Sequence, residues 1–468
     1  MPFSQLPVEV HALIFEHYFA DPKALVNARR WLAHTRLLCR INKYIRFLVF
    51  SPPFHEVWSR VYLQWPAKVI QWRLERSEGT ALSVHLNTQE CNAIKSRLKG
   101  WADFLSANME KTRELNIALS LPQRALRGAD ISFFASAINT PAPLLSEFVL
   151  NLHPDARNII VHLFASNAPR LRSASIYADP QFDLSHFPSL RQLKMLLTPN
   201  KVHELLWMLE DLHDLEELSL IGVDVDFQPH IPDQPMVQVH LPNCRSLTIK
   251  KMKSPTIKYL TSSFTMPELQ RLSIHEIVVP NEYGVIKSSI SEALSLLEHD
   301  TVSAHALHIA LRPNHLFITS GDSSYSFSSD WSNLRNRFVS DADGGLLELA
   351  VTILSAFALQ LLVSPKELII ENTLRTDNRT FARSALELVD LESLWHHVFP
   401  EYPSVETLQL VGDFSSLNRV LNSPVLHLPN LSNICVQKGS PFAETNLDNL
   451  VRFCHSRSPQ IALSLPAP

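Results

Sequence analysis

Glycine is scarce, with ten in 468 residues, where a globular chain usually carries roughly 7%. None of the ten stands in a GxG, a GxxxxGKS or GxxxxGKT, or a GxSxG. The phosphate-cradling loops of dinucleotide folds and P-loop enzymes need glycine where backbone approaches phosphate. The nucleophile elbow needs it to relieve a strained turn. All three classes are excluded. Cysteine is equally thin: Cys39, Cys91, Cys244, Cys435 and Cys454 are odd in number, widely spaced and without a CxxC. That argues against a disulfide scaffold and for reduced thiols, hence a cytoplasmic or nuclear location. Met1-Pro2-Phe3-Ser4-Gln5 carries neither a basic n-region nor an apolar h-region, so no signal peptide is expected. Charge of one sign is missing too, at 42 Lys and Arg against 46 Asp and Glu. Residues 1–120 hold 16 basic and 10 acidic side chains, too mild an excess to point to nucleic acid. The longest apolar run, Leu346–Val363, is interrupted by Glu348 and Gln360. A spanning helix needs about 20 predominantly apolar residues, so this run reads as a buried helix and no membrane partner is expected.

What is present is a core-forming chain, 46% apolar and 19% charged, outside the disordered range. Residues 1–75 read as helical. Val10, Leu13, Ile14, His17 and Tyr18 form one stripe at helical spacing, and Pro7 suits a first turn, where its missing N–H is no loss. A second helical stretch, Leu25–Phe50, carries Leu37, Leu38, Ile41 and Ile45 among five arginines, and Ser51-Pro52-Pro53 stops it. Val57, Trp58 and Val61 follow in a short segment.

From about residue 110 a phrase recurs: a Pro or polar start, then apolar-x-x-apolar-x-apolar. Its central anchors are Phe148, Ala174, Leu193, Leu218, Leu247 and Leu272, about 19 to 29 residues apart, with a late pair at Leu408 and Ile434. Period and phrase resemble leucine-rich repeats, which run about 20–29 residues because each unit buries its face only against its neighbours. The Asn or Cys that usually follows the strand is absent; Leu220 is followed by Ile-Gly-Val-Asp. Helix-length stretches, clearest at Lys201–Leu212 and Ile286–Leu297, separate the phrases. Residues 275–365 break the rhythm with a strand-like pair, Ala306–Leu311 and His315–Thr319. A Ser-rich stretch, Ser320–Asp343, then reads as a long loop or insertion.

Catalytic and metal-binding patterns are weak. No HExxH and no Cys/His pair at zinc-finger spacing occurs among the 21 histidines. His396-His397 reads as a helix end, and Asp341-Ala342-Asp343-Gly344 as a turn, because Thr352 stands where a calcium loop needs Glu. The acidic cluster Glu210, Asp211, Asp214, Glu216 and Glu217 reads as a solvated helix end. Cys39, beside Arg36 and Arg40, could be a cation-activated thiol, but its place next to Leu38 and Ile41 reads as packing. No cofactor, metal or catalytic residue is expected.

Leu6-Pro7-Val8-Glu9-Val10, Ile14-Phe15, Leu37-Leu38-Cys39-Arg40-Ile41 and Val57-Trp58 stand in an order and spacing that resemble an F-box. Two departures are clear: Lys43-Tyr44 and Arg46 replace the frequent Trp-Arg, and the Ala20–Ala33 link is longer than usual. The resemblance covers about one eighth of the chain. An F-box followed by leucine-rich repeats implies the substrate-recognition subunit of a cullin–RING ubiquitin ligase. Leu6, Pro7, Val10, Ile14, Leu38, Ile41 and Trp58 would then bind a Skp-type adaptor, and through it a cullin. The repeats would hold an as yet unknown protein substrate. Because side chains alternate along a strand, Glu217, Ser219, Thr248, Lys250, Arg271, Ser273, His275 and Gln409 are expected on the open face.

The expected architecture is therefore α/β. An F-box-like helical module (1–65) and a helical linker (66–110) precede an irregular leucine-rich-repeat solenoid (111–468), with parallel strands on the concave face, helices on the convex face and an atypical region at about 275–365. The alternative is a repeat-built interaction or scaffold protein without a ligase, its N-terminal helices serving as a cap.

Overall fold

The computed structural model describes residues 10–11, 14, 28–41, 43–51, 55–90, 97–119, 128–152, 162–177, 183–197, 201–223, 237–279, 283–297, 305–334, 345–361, 364–374, 384–423, 427–437, 444–457 and 460–465. They fold as a mixed α/β protein whose sheet is mostly parallel, in two compact units, Met1–Leu196 and Leu197–Pro468.

In the first unit, helices α1 (Ala28–Ile41), α2 (Lys43–Val49) and α3 (His55–Ser59) precede strand β1 (Arg60–Tyr62). Ala28, Trp31, Thr35 and Leu38 recur at helical spacing and make the buried stripe of α1. Arg46 Nε donates to the carbonyl of Cys39 at 2.7 Å, satisfying an acceptor in the last turn, where intrahelical donors run out. Helix α4 (Ala67–Ser77) starts after Pro66 and ends where Glu78 and Gly79 take positive φ (45° and 83°). Strand β2 (Leu82–Asn87), helix α5 (Leu98–Asn108), strand β3 (Thr112–Leu119), helix α6 (Gly128–Ile138) and strands β4 (Glu147–Leu152), β5 (Ser173–Tyr177) and β6 (Gln192–Leu197) follow.

β1 to β6 pair in sequence order, all parallel. Leu115, Phe148, Ala174 and Leu193 stand opposite one another, as do Ile117, Leu150, Ile176 and Met195, and all eight are buried. The repeated phrase therefore sits in register. Strands β1 and β2 were not expected: sheet pairing begins at Arg60, within the stretch read as helical module and linker. Their short apolar alternations, Val61 alone and Leu82, Val84 and Leu86, lie between helical patterns. Pairing of β2 with β3, and of β1 with β2, makes them strands.

The second unit opens with α7 (Val202–Leu209) and β7 (Glu217–Gly222). It continues with β8 (Val239–His240), β9 (Ser246–Met252), α8 (Ser254–Ser263), β10 (Phe264–Thr265), β11 (Arg271–Ile277) and α9 (Tyr283–Leu294). Then come β12 (Ala306–Arg312), β13 (His315–Ser320), β14 (Tyr325–Asp330), α10 (Gly345–Gln360), β15 (Glu367–Asn372), α11 (Leu391–Val398), β16 (Thr407–Gly412), α12 (Ser415–Leu421), β17 (Asn433–Val436), α13 (Glu444–Ser456) and β18 (Ala462–Ser464). Spatial order is β7-β9-β11-β14-β13-β12-β15-β16-β17-β18, while β8 and β10 pair separately.

The chain thus leaves β11, skips two places to β12, and returns through an antiparallel meander so that β14 lies parallel to β11. The strand-like pair expected at Ala306–Leu311 and His315–Thr319 is β12 and β13. The Ser-rich stretch is not simply a loop, because β14 occupies Tyr325–Asp330; the part at 335–344 lies outside the described residues. Strand β15 was also unexpected, its two anchors Leu368 and Ile370 following directly on the apolar helix.

Inward residues form continuous ladders. One runs Leu218, Leu247, Leu272, Tyr325; another runs Leu220, Ile249, Ile274, Phe327. Phe357 of α10 stacks near Tyr325 (6.0 Å between centroids) and Phe327 (5.2 Å). This is the buried helix expected at 346–363, and no described helix is long and apolar enough to cross a membrane. Two glycines are required by close approach. A Cβ on Gly222 would meet the Lys251 carbonyl oxygen at 2.0 Å, and on Gly412, at φ 91°, the Asn372 oxygen at 1.9 Å. Asn372 in turn donates from Nδ2 to the Asp413 carbonyl at 2.6 Å, and its Oδ1 accepts from Leu374 N.

Candidate interaction surfaces

Turning the apolar ladders inward leaves every second side chain on the opposite, solvent-facing side of the strands. In the second unit this gathers seven of the eight residues expected on the open face. Glu217 and Arg271 flank Ser246 in one row; Ser219, Thr248 and Ser273 form the next; Lys250 and His275 continue with Ile221 in the third. Gln409 does not join them. It lies on β16, separated from β11 in the sheet order by four strands, β14, β13, β12 and β15, and its side chain there bonds Glu367 and, at 3.1 Å, Gln437.

The meander extends the face with groups the sequence reading missed. Ser326 Oγ donates to Ser273 Oγ at 2.9 Å. His275 Nδ1 bonds Ser328 Oγ. The His275 and His315 rings lie 6.0 Å apart, His315 approaches Asp330 at 3.9 Å, and the Arg312 guanidinium covers Phe317 at 4.8 Å. Glu371 faces both Arg312 (3.4 Å) and His308 (3.3 Å). The β14 groups were missed because its short alternation, Tyr325 and Phe327, is embedded in a run of serines, and only the return of the chain sets it beside β11. Burial holds the His275 imidazole below its usual range, and His315, Lys250 and Lys251 act the same way against Asp330. His275 is therefore neutral at pH 7, free to accept or donate one hydrogen bond. The hydroxyl–imidazole contact has no carboxylate bonded to the ring among the described residues. The surface as a whole offers neutral hydroxyls, amphoteric imidazoles and paired charges, a chemistry suited to the mixed donors and acceptors of a protein surface.

The first unit carries a second polar set on β1–β3. Ser83 Oγ donates to Glu114 Oε2 at 2.6 Å and lies 2.9 Å from His85 Nε2. Arg60 and Arg113 approach Glu114 at 3.9 and 3.2 Å. Tyr62 stacks on His85 at 4.9 Å. Burial, helped by Arg60 and opposed by Glu114, drops the His85 pKa to about 4. Burial alone would lift the Glu114 carboxyl, yet the Ser83 hydrogen bond and the neighbouring cations together hold it below its usual value.

Of the residues expected to bind an adaptor, Leu6 and Pro7 lie outside the described residues. Val10 is half-buried, while Ile14 and Ile41 are 40% and 53% exposed. Leu38 and Trp58 were expected at the surface and are not: they are 4% and 1% exposed. Leu38 falls on the buried stripe of α1 with Trp31 and Thr35. Trp58 donates to the Val49 carbonyl at 2.8 Å and stacks on Phe50, pinning α3 to α2. Exposed with Ile41 are Leu37, one turn before it, and Phe47 of α2, 56% and 70% exposed. The i, i+4 spacing of Leu37 and Ile41, off the Trp31–Leu38 stripe, was the available signal.

Among the described residues no group of three or more His, Cys, Asp or Glu side chains is placed to hold a metal ion. His396 Nδ1 meets His427 Nε2 at 2.8 Å, while His397 bonds the Ser393 carbonyl. The acidic cluster around Asp214 is largely exposed, and Asp341–Asp343 lies outside the described residues. Cys39 is half-buried, and burial raises its thiol pKa against the pull of Arg46, Arg73 and Arg76, the opposite of cation activation. Comparison with known proteins finds no family model that matches the chain and no similar curated protein.

Proposed function

We propose that the protein is the substrate-recognition subunit of a Skp–cullin–F-box type ubiquitin ligase. The helices at its N-terminal end would bind the adaptor, and the repeat strands of the second unit would hold a protein substrate. On this reading the strands and helices are an irregular leucine-rich-repeat solenoid and the receptor itself does no chemistry. It raises the effective concentration of substrate lysines near the conjugating enzyme. The observation that carries the reading is the solvent-exposed apolar set Leu37, Ile41 and Phe47 on helices whose sequence resembles an F-box, since an exposed apolar cluster is suited to a partner helix. The inward positions of Leu38 and Trp58 favour the second reading, an interaction protein whose helices only pack on the repeats.

Co-purification with a Skp-type adaptor separates the two. Wild type is expected to retain the adaptor, an Ile41→Glu, Phe47→Glu variant to lose it at least about ten-fold, and a Thr248→Ala, Ser273→Ala, His275→Ala variant to keep it. Failure of folded wild type to bind the adaptor selects the interaction protein.

A further inference from the structure

Helix α1 presents three different sides. Trp31, Thr35 and Leu38 face the core, Leu37 and Ile41 face solvent as bare apolar surface, and Leu32, Arg36, Cys39 and Arg40 make a third stripe at i, i+4, i+7, i+8. That third stripe forms one wall of a groove of about 570 Å³. Arg46 and Phe50, at the end of α2, continue the wall, and Lys68, Val69 and Trp72 of α4 form the other. Its size is within the roughly 300–1,000 Å³ range of ligand-binding clefts.

Two features narrow what the groove can hold. Four cations line it, Arg36, Arg40, Arg46 and Lys68, and among the described residues no carboxylate does. All four are exposed, and none forms an ion pair among the described residues. Between them the lining is apolar: Leu32, Phe50, Val69 and Trp72. We propose that this groove binds an acidic peptide segment of a partner protein, its carboxylates on the four cations and one apolar side chain between Val69 and Trp72. Nucleic acid fits less well. Stacking needs a free aromatic face, and the Trp72 indole is already covered by the Arg76 guanidinium at 4.0 Å. The groove lies on a different side of α1 from Leu37 and Ile41, so the proposal stands independently of the adaptor reading.

The test is fluorescence anisotropy on the full chain with a short fluorescein-labelled peptide of glutamates flanking one leucine. A peptide with glutamine in place of glutamate and a labelled single-stranded oligonucleotide serve as comparisons. The acidic peptide is expected to bind at least about ten-fold tighter than the glutamine peptide at low salt, and the advantage to shrink as salt rises. Arg36→Glu with Arg40→Glu should weaken it about ten-fold or more. Lys68→Glu, an exposed change on the opposite wall, should weaken it about three-fold even if the double variant unfolds. Equal binding of the acidic and glutamine peptides, wild-type affinity in Lys68→Glu, or tighter binding of the oligonucleotide would each overturn the proposal.

Discussion

His85 shows how one side chain can make stability depend on pH. Its imidazole titrates near 4 in the folded chain, against about 6.5 in an unfolded one. Above pH 6.5 it is neutral in both states and contributes no pH dependence. Between 6.5 and 4 the unfolded chain takes up a proton that the folded chain refuses, so stability falls as pH falls through that window. The loss attributable to this one group by pH 4 should be on the order of 3 kcal/mol. Urea midpoints of wild type and His85→Gln, measured from neutral pH down to about 4, should therefore converge as the pH drops. An unchanged difference between the two curves would show that the folded chain takes up this proton as readily as the unfolded one. The same residue shows what a single-letter reading misses. Its neighbours Ser83 and Leu86 look like an ordinary strand, and only the cross-strand arrival of Glu114 and the ring of Tyr62 create the network around it.

At the scale of elements, the meander β12–β14 departs furthest from a regular repeat. It sets one reversed strand, β13, inside a parallel sheet, yet keeps the inward ladder intact, because Ile318 stands between Ile309 and Phe327. Helix α10 covers this stretch through Phe357, which is 1% exposed. Phe357→Ala removes the ring that meets both Tyr325 and Phe327 and leaves a cavity, which should cost about 3–5 kcal/mol in chemical unfolding. A loss below about 1 kcal/mol would mean that α10 is not packed on β14. Here the element was legible and its neighbour was not. The apolar run of α10 shows through composition alone, whereas β14 is half serine, and a polar strand is recognised only by the backbone that pairs with it.

At the scale of the whole molecule, the two compact units have separate aromatic contacts. Phe148 packs on Phe164 at 4.9 Å in the first, and Phe357 on Tyr325 and Phe327 in the second. Phe148→Ala and Phe357→Ala share no packing partner, so their effects on unfolding should add within about 0.5 kcal/mol in a double-mutant cycle. A larger coupling would show that the two sites interact energetically. By itself, the sequence determined which residues of the repeated strands are inside. The recurring apolar anchors from Phe148 to Leu272, and again at Leu408 and Ile434, are strand residues facing a core, because a period of two on a strand leaves only one way to bury them. Tertiary structure alone decided which strands are neighbours, and so which outward residues share a surface. It sent Gln409 away from His275, brought Ser328 and His315 to it, and turned Leu38 inward while leaving Ile41 in solvent. Burial is a property each residue's own pattern can encode; adjacency depends on the path of the chain between elements, and no local period records it.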